Sequence, residues 1–240
     1  MWIYNGISIQ NKRQQNMDSV MISERQIGNE KIWLATLCDG VGSTEFGAGA
    51  ASLTTSILKE WFDSLESSDC LGIRFRNCIM EINRRIAETW NTGEMRAATT
   101  LSALVLFEDR YYLVHIGDSR IYAVSQTKLE QMTIDHKEHG SLTQYLGMRS
   151  NIMPQYREGS IPETAFLLCS DGFYQRMDFY RVFQIIKESG RRGMKNAMER
   201  AVREVVRSGE TDNISLAVLK RKSEEKNNEQ KNKAIDCQPG

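Results

Sequence analysis

Short apolar runs of strand length recur along this chain between polar turns, and longer segments with helical spacing lie among them. The short runs are rich in Val, Ile, Leu and aromatic residues and are bounded by polar or glycine-containing turns, which is typical of β-strands. On this basis we predict strands at residues 3–10, 19–22, 32–38, 100–107, 111–116, 120–125, 129–132, 164–169 and 213–219.

Apolar residues recur every three or four positions in the longer segments, which is typical of amphipathic helices. We predict helices at residues 46–65, 73–90, 179–188 and 194–208. The first two are expected on one side of a sheet. Ser43, Thr44 and Glu45 precede the first helix and are expected to supply its N-terminal cap.

The three strands between residues 100 and 125 are separated by short polar turns, so we predict an antiparallel meander there. Residues 128–162 show only weak periodicity. We predict that they form a flexible flap, with a small helix at residues 141–146.

Length and composition favour one domain, at residues 1–221, followed by a polar tail. The chain has 240 residues, of which 40% are hydrophobic, which is enough for a sizeable core. Residues 222–240 are rich in Lys, Glu, Asn and Gln, so burial cannot offset their ordering entropy and we expect disorder. No apolar run is long enough for a membrane span. The N-terminus does not resemble a signal peptide, so we expect a cytoplasmic protein.

Charge and motif content disfavour several classes of protein. The formal net charge is zero, without the basic footprint of a nucleic-acid-binding protein. The five cysteines include no Cys-x-x-Cys pair, which disfavours a disulfide framework and a structural zinc site. The three histidines are too few for a His-rich metal site, and His115 is expected to be structural. The fingerprints of P-loop ATPases, serine hydrolases and dinucleotide enzymes are absent.

Aspartates stand at the ends of five predicted strands. Asp39 and Asp171 each end an apolar run and are followed by glycine, Asp118 lies in a turn between strands, and Asp18 and Asp212 precede strands. If strands from both halves of the chain pack together, these side chains converge at one end of the sheets.

Clustered carboxylates repel one another and raise one another's pKa values, so such a site needs cations. Hard oxygen ligands suit Mg²⁺ or Mn²⁺ rather than zinc. Two such ions, typically about 3.5–4 Å apart, can share a water, lower its pKa and direct it at a phosphorus atom. The pattern therefore predicts a two-metal centre for phosphate chemistry.

Eight short motifs occur in a fixed order between residues 11 and 219. They are Arg13-x-x-Asn16-x-Asp18, Asp39-Gly40-Val41-Gly42, Thr99-Thr100, Gly117-Asp118-Ser119-Arg120-x-Tyr122, Thr133-x-Asp135-His136, Leu142-Thr143-Gln144-x-Leu146-Gly147, Ser170-Asp171-Gly172 and Asp212-Asn213-Ile214. Each motif alone is weak, but this ordered set resembles the metal-dependent protein phosphatase 2C family. The chain looks like a compact bacterial-type member of that family.

The resemblance implies an α+β fold, a four-layer α/β/β/α sandwich of two antiparallel sheets flanked by helices. It also implies metal ligands. Asp39 would bridge two Mg²⁺ or Mn²⁺ ions, and the Gly40 carbonyl would bind the first. Asp171 and Asp212 would hold the second ion. Asp118, with Asp171, would hold a weaker third ion.

The resemblance implies three further roles. Asp18 would orient metal-bound water, Arg13 would bind the substrate phosphate with its guanidinium fork, and Asn213 would help to position metal-bound groups. The implied mechanism is in-line attack of a metal-bridging hydroxide on phosphoserine or phosphothreonine, without a phospho-enzyme. Met17 stands where the family usually has an acidic residue, and Val41 where some members have a histidine. Neither departure removes a metal ligand.

The sequence therefore predicts a protein serine/threonine phosphatase. One alternative is a catalytically weak member of the same fold that acts as a regulatory binding module. Another is a two-metal hydrolase of small phosphoesters. The expected partners are phosphorylated proteins and, by analogy with the family, an antagonistic serine/threonine kinase. The chain is expected to act as a monomer, without nucleic acid.

Overall fold

The computed structural model of the chain describes residues 1–92, 95–125, 127–161, 165–190 and 193–222. The predicted polar tail from residue 223 onward lies outside the described residues. The strands in the described part are β1 (Trp2–Ile9), β2 (Asp18–Ile27), β3 (Glu30–Asp39), β4 (Leu101–Phe107), β5 (Arg110–Ile116), β6 (Arg120–Val124), β7 (Leu129–Gln131), β8 (Lys137–Glu138), β9 (Ser141–Leu142), β10 (Gln155–Ser160), β11 (Ala165–Cys169) and β12 (Ile214–Arg221). The helices are α1 (Gly47–Asp63), α2 (Leu71–Thr89), α3 (Asp171–Tyr174), α4 (Phe179–Glu188) and α5 (Met194–Arg207).

Two five-stranded antiparallel sheets form the middle of the molecule. The first has the strand order β1-β12-β11-β6-β7, and the second has the order β10-β5-β4-β3-β2. Strands β8 and β9 form a separate hairpin. Each main sheet joins strands from distant parts of the chain, such as β1 and β12. The two ends of the described chain are therefore held in one sheet.

Alternating side chains on the strands build the layers. On β3, Leu34 packs into the core under α1 and α2, whereas Leu37 faces the core between the sheets. On β11, Leu167 belongs to the core under α4 and α5, whereas Phe166 lies between the sheets. The order of layers is helices, sheet, sheet, helices. The four-layer α+β fold that the resemblance implied is therefore confirmed.

Three local predictions are wrong. The strands between residues 100 and 125 do not form one meander, because β6 crosses to the other sheet and pairs with β11. The predicted helix at residues 141–146 is replaced by the β8–β9 hairpin, where Gly140, with φ of 83°, turns the chain back. Helix α1 has Phe46 at its N-cap without a side-chain hydrogen bond. Thr44 instead bonds its hydroxyl to the Val41 carbonyl, at 2.7 Å.

The predicted flap also contains the unexpected strand β10, which extends the second sheet by pairing with β5. The flexibility of this flap and the division of the chain at residue 221 stay predictions. Among the described residues, no helix is long and apolar enough to cross a membrane.

His115 is a buried titratable group on β5. Its Nδ1 atom lies 3.0 Å from the Ser102 hydroxyl, its ring stacks on that of His136 with 5.3 Å between centroids, and its Nε2 atom has no hydrogen-bond partner among the described residues. Burial and the neighbouring His136 lower the pKa of His115 to about 3, although Asp135 acts in the opposite direction. The ring is therefore neutral in the folded protein at neutral pH.

We expect Phe166→Ala to lower the free energy of unfolding by about 3–5 kcal/mol, because it removes a fully buried aromatic ring between the sheets. Urea unfolding followed by circular dichroism measures this change. Tyr180→Ala is the control, since Tyr180 is 71% exposed, and its effect should stay within about 0.5 kcal/mol. Equal effects of the two substitutions would contradict the sandwich packing.

We expect His115 to make the folded protein less stable as the pH falls below its ordinary pKa of 6.5. The unfolded chain then binds a proton that the folded chain excludes until about pH 3, so the penalty grows by up to about 1.4 kcal/mol for each pH unit. His115→Gln removes this contribution. Urea unfolding at pH 7.5 and pH 5.5 should show a smaller loss of stability on acidification for His115→Gln than for the wild type, and equal losses would contradict the prediction.

Candidate metal centre

A cavity of about 590 Å³ opens where ends of the two sheets meet. It is lined by seven of the eight residues to which the sequence analysis gave a role, namely Arg13, Asp39, Gly40, Asp118, Asp171, Asp212 and Asn213. The eighth, Asp18, is paired with Asp39 in the β2–β3 ladder. The structure therefore brings the predicted residues into one region, although they are far apart in the chain.

The backbone of Asp39 is fixed at the end of β3 by two threonines. Its N–H donates to the Thr100 hydroxyl at 3.0 Å, and its carbonyl accepts from the Thr100 N–H at 2.8 Å and the Thr99 hydroxyl at 3.0 Å. The following turn is so close to α1 that a Cβ atom on Gly40 would lie 2.5 Å from the Gly47 backbone. Glycine is therefore required beside Asp39.

The other three aspartates in the cavity come from the first sheet and from a turn that joins the two sheets. Asp171 begins α3 directly after β11, and Asp212 precedes β12, which pairs with β11. Asp118 lies in the turn between β5 and β6, where Gly117 has φ of 108° and packs against Thr100. Neighbouring strands and a turn between the sheets thus direct these side chains into one cavity.

The carboxylates affect one another strongly. Loss of hydration raises the pKa of Asp39 well above its usual value, and the charges of Asp18, Asp171, Asp118 and Asp212 raise it further. Loss of hydration is also the main reason that the pKa of Asp171 is raised. The site therefore concentrates negative charge where water solvates it poorly.

Asp18 is the most isolated carboxylate of the set. Both of its carboxylate oxygens are buried and have no hydrogen-bond partner among the described residues. Burial raises the pKa of Asp18 to about 6, although the nearby Ser215 and Ser170 hydroxyls oppose the rise. A buried carboxylate without a partner is costly, so a cation or an ordered water beside it would stabilise the site.

Two basic side chains of the protein partly neutralise the cluster. Arg13 forms a bidentate pair with Asp212, with nitrogen–oxygen distances of 2.8 and 2.7 Å. Burial tends to raise the pKa of Asp212, but the Arg13 hydrogen bonds hold it below its usual value. Lys137 Nζ lies 2.6 Å from Asp118 Oδ2 and 3.7 Å from Asp171 Oδ2. The sequence analysis missed Lys137, because nothing distinguished it except its place after the Asp135-His136 motif.

Asn213 fixes the loop that carries Arg13. Its Nδ2 atom donates to the carbonyls of Gln10 and Gln15 at 2.8 and 3.0 Å, and its Oδ1 atom accepts from the Met17 N–H at 2.9 Å. The Asn213 side-chain amide is thus hydrogen-bonded to backbone groups on both sides of Arg13. Its predicted role in positioning metal-bound groups stays a prediction.

The donor set fits hard divalent cations. Within the described part of the chain, no three His, Cys, Asp or Glu side chains are already arranged to hold a metal ion. The carboxylates instead contact Arg13 and Lys137. The cavity nevertheless offers carboxylates and a backbone carbonyl, with no Cys or His among its lining residues, and the unpartnered Asp18 oxygens lie beside it. Such oxygen donors suit Mg²⁺ and Mn²⁺.

Comparisons with known proteins identify the family of the chain. The sequence profile of the protein phosphatase 2C family matches residues 6–207. Protein phosphatase PhpP of Streptococcus pneumoniae is 24% identical over 89% of this chain and 95% of its own length.

Two solved structures share the fold. Serine/threonine phosphatase Stp1 of Staphylococcus aureus superposes with a TM-score of 0.82, at 20% identity over 93% of this chain and 96% of that one. The catalytic domain of the phosphatase PstP, solved with two manganese ions, has a TM-score of 0.77 at 24% identity over 91% of this chain and 97% of that one. Since the family profile spans most of the sequence, the chain belongs to the protein phosphatase 2C family of serine/threonine phosphatases.

Proposed function

We propose that this chain hydrolyses phosphoserine and phosphothreonine in proteins with the help of divalent metal ions. The observation that carries the proposal is the cavity in which four aspartates meet, with Asp18 beside them, in a member of a phosphatase family. The manganese ions in the related PstP structure support the choice of Mg²⁺ or Mn²⁺. Family membership and the complete aspartate set disfavour the alternative of a catalytically weak binding module.

The aspartates of the cavity and Gly40 have proposed parts in holding the metal ions. Asp39 would bridge two ions, with the Gly40 carbonyl on the first, and Asp171 and Asp212 would hold the second. When bound, the ions would lower the pKa of a water molecule and offset the charge that develops on the phosphoryl oxygens. The resemblance also implies a weaker third position at Asp118 and Asp171, whose carboxylates contact Lys137 instead.

Arg13 and Asp18 would act on the substrate and the attacking water. The Arg13 fork, which now binds the carboxylate of Asp212, would bind the planar edge of a phosphoryl group in the same way. Asp18 would accept a hydrogen bond from the attacking water with an oxygen that has no partner among the described residues. The proposal includes phosphorylated proteins as substrates and an antagonistic kinase, with the enzyme acting as a cytoplasmic monomer.

We expect the purified chain to release phosphate from a phosphothreonine peptide only when Mn²⁺ or Mg²⁺ is present. Asp39→Asn should lower kcat/KM by about 100-fold or more, because it removes a charged ligand from both ions. Asp63→Asn is the matched control on the exposed end of α1 and should keep full activity. Activity that survives both a chelator and Asp39→Asn would contradict the proposal.

The same assay separates a protein phosphatase from a hydrolase of small phosphoesters. We expect a higher kcat/KM for the phosphothreonine peptide than for p-nitrophenyl phosphate, since a protein substrate also contacts the surface around the cavity. The opposite order would favour the small-phosphoester alternative.

We expect Arg13→Ala to lower kcat/KM by about 10- to 100-fold, which corresponds to the loss of a charge-assisted hydrogen bond to phosphate. Inhibition by inorganic phosphate should weaken as well. Arg13→Lys keeps the charge but loses the fork, so it should restore only part of the activity. If Arg13→Ala leaves phosphate inhibition unchanged, Arg13 does not bind the substrate phosphate.

A further inference from the structure

Lys137 is a basic residue inside the acidic cavity that the proposed reaction does not use. It lies on β8, and its ammonium group contacts Asp118 Oδ2 at 2.6 Å and Asp171 Oδ2 at 3.7 Å. Gln175 also donates to Asp171 Oδ2, at 2.9 Å. The Asp118 side chain is only 7% exposed, whereas that of Lys137 is 31% exposed. Lys137 therefore brings a positive charge to a carboxylate that water hardly reaches.

The residues on both sides of Asp118 form hydrogen bonds with the two residues that precede Lys137. On one side, the Gly117 N–H donates to His136 Nδ1 at 3.1 Å, and the Gly117 carbonyl accepts from the His136 N–H at 2.7 Å. On the other side, Arg120 binds the carboxylate of Asp135, with nitrogen–oxygen distances of 2.7 to 3.1 Å. These contacts fix the register of residues 135–137 against the turn that carries Asp118.

The far side of the hairpin is attached near Asp39. The Thr143 N–H donates to the His136 carbonyl at 2.9 Å. Leu146 and Thr99 exchange backbone hydrogen bonds of 2.9 and 3.2 Å, and the Thr99 hydroxyl donates to the Asp39 carbonyl. The hairpin that carries Lys137 is therefore bonded to the cavity wall at both ends, so the fold holds the Lys137 backbone within reach of Asp118.

An ammonium group and a divalent ion would compete for Asp118 in this geometry. A Mg²⁺ or Mn²⁺ ligand oxygen must come much closer to the ion than an ammonium does, and the two cations would then lie within a few ångströms of each other. Their repulsion in a poorly solvated site would be large. The ammonium group therefore opposes the binding of a divalent ion at Asp118.

We propose that the Lys137 ammonium group takes the place of a third divalent ion at Asp118 and Asp171. The inference rests on the proposed function, because it concerns the ions of the same site. Lys137 is then a positioning residue, since it neutralises Asp118 and thereby leaves Asp171 to the second ion. Lys137 is therefore expected to lower by one the number of divalent ions that the chain binds.

The test is the number of Mn²⁺ ions bound by each chain, measured with the full chain and Mn²⁺ alone by equilibrium dialysis and elemental analysis. We expect Lys137→Met and Lys137→Gln each to bind one ion more than the wild type, since the Asp118 carboxylate is then without a cation. Lys137→Arg keeps the charge and should bind the same number as the wild type. Thermal unfolding shows that each variant is folded.

Two controls assign the extra ion to this position. Lys12→Met removes the same charge from another residue that lines the cavity and should leave the number of ions unchanged. The double variant Lys137→Met with Asp118→Asn should return to the wild-type number. A gain in Lys12→Met, or a gain that survives Asp118→Asn, would mean that general electrostatic attraction and not Lys137 controls the site.

Different outcomes separate the two proposals. If the wild type binds Mn²⁺ and the folded Lys137→Met and Lys137→Gln variants bind the same number, the inference about Lys137 is overturned and the proposed function stands. If the wild type and all variants bind no Mn²⁺, the metal-dependent function is overturned, and the inference with it.

Discussion

Repulsion among carboxylates is the force that the fold must oppose at one end of its sheets. Asp39 is surrounded by four other aspartates that raise its pKa, and they reach it from both sheets. The apolar core between the sheets, with Phe166 and Leu37, fixes the strands that carry these side chains. Hydrophobic burial is not directional and neutralises no charge. It can hold the carboxylates together, whereas Arg13 and Lys137 offset part of their charge.

The four layers of the fold were implied by the family resemblance and not by the periodicity of single segments. The apolar runs of β3 and β11 agree with these layers, since one face of each strand packs against helices and the other against a sheet. Strand partners depend on tertiary contacts that no segment encodes, which is why the pairing of β6 with β11 was missed. Strand β10 (Gln155–Ser160) carries a polar sequence at a sheet edge, and the β8–β9 hairpin is too short for periodicity to reveal it.

The same distinction applies to the site. Aspartates at strand ends could be recognised as a set, because a strand end is a local feature and sheets gather their strand ends. The contacts of Lys137 and Asn213 could not be predicted. Lys137 reaches Asp118 only because Gly117 and Arg120 bind the two residues that precede it. Asn213 bonds backbone groups about 200 residues away in the chain.

Arg13 and Lys137, the basic residues that pair with aspartates of the cavity, differ in exposure. The Arg13 side chain is 57% exposed and pairs with an Asp212 side chain that is 35% exposed, and exposed ion pairs are worth only about 0–1 kcal/mol. Separation of Arg13 from Asp212 would therefore cost little, which agrees with the proposed binding of a phosphoryl group by Arg13. Lys137 contacts a carboxylate that is 7% exposed, and the hairpin that carries it is bonded to the cavity wall. Removing that ammonium would leave a buried charge without a partner. The difference in exposure supports the proposed roles, in which Arg13 binds the substrate phosphate and Lys137 neutralises Asp118.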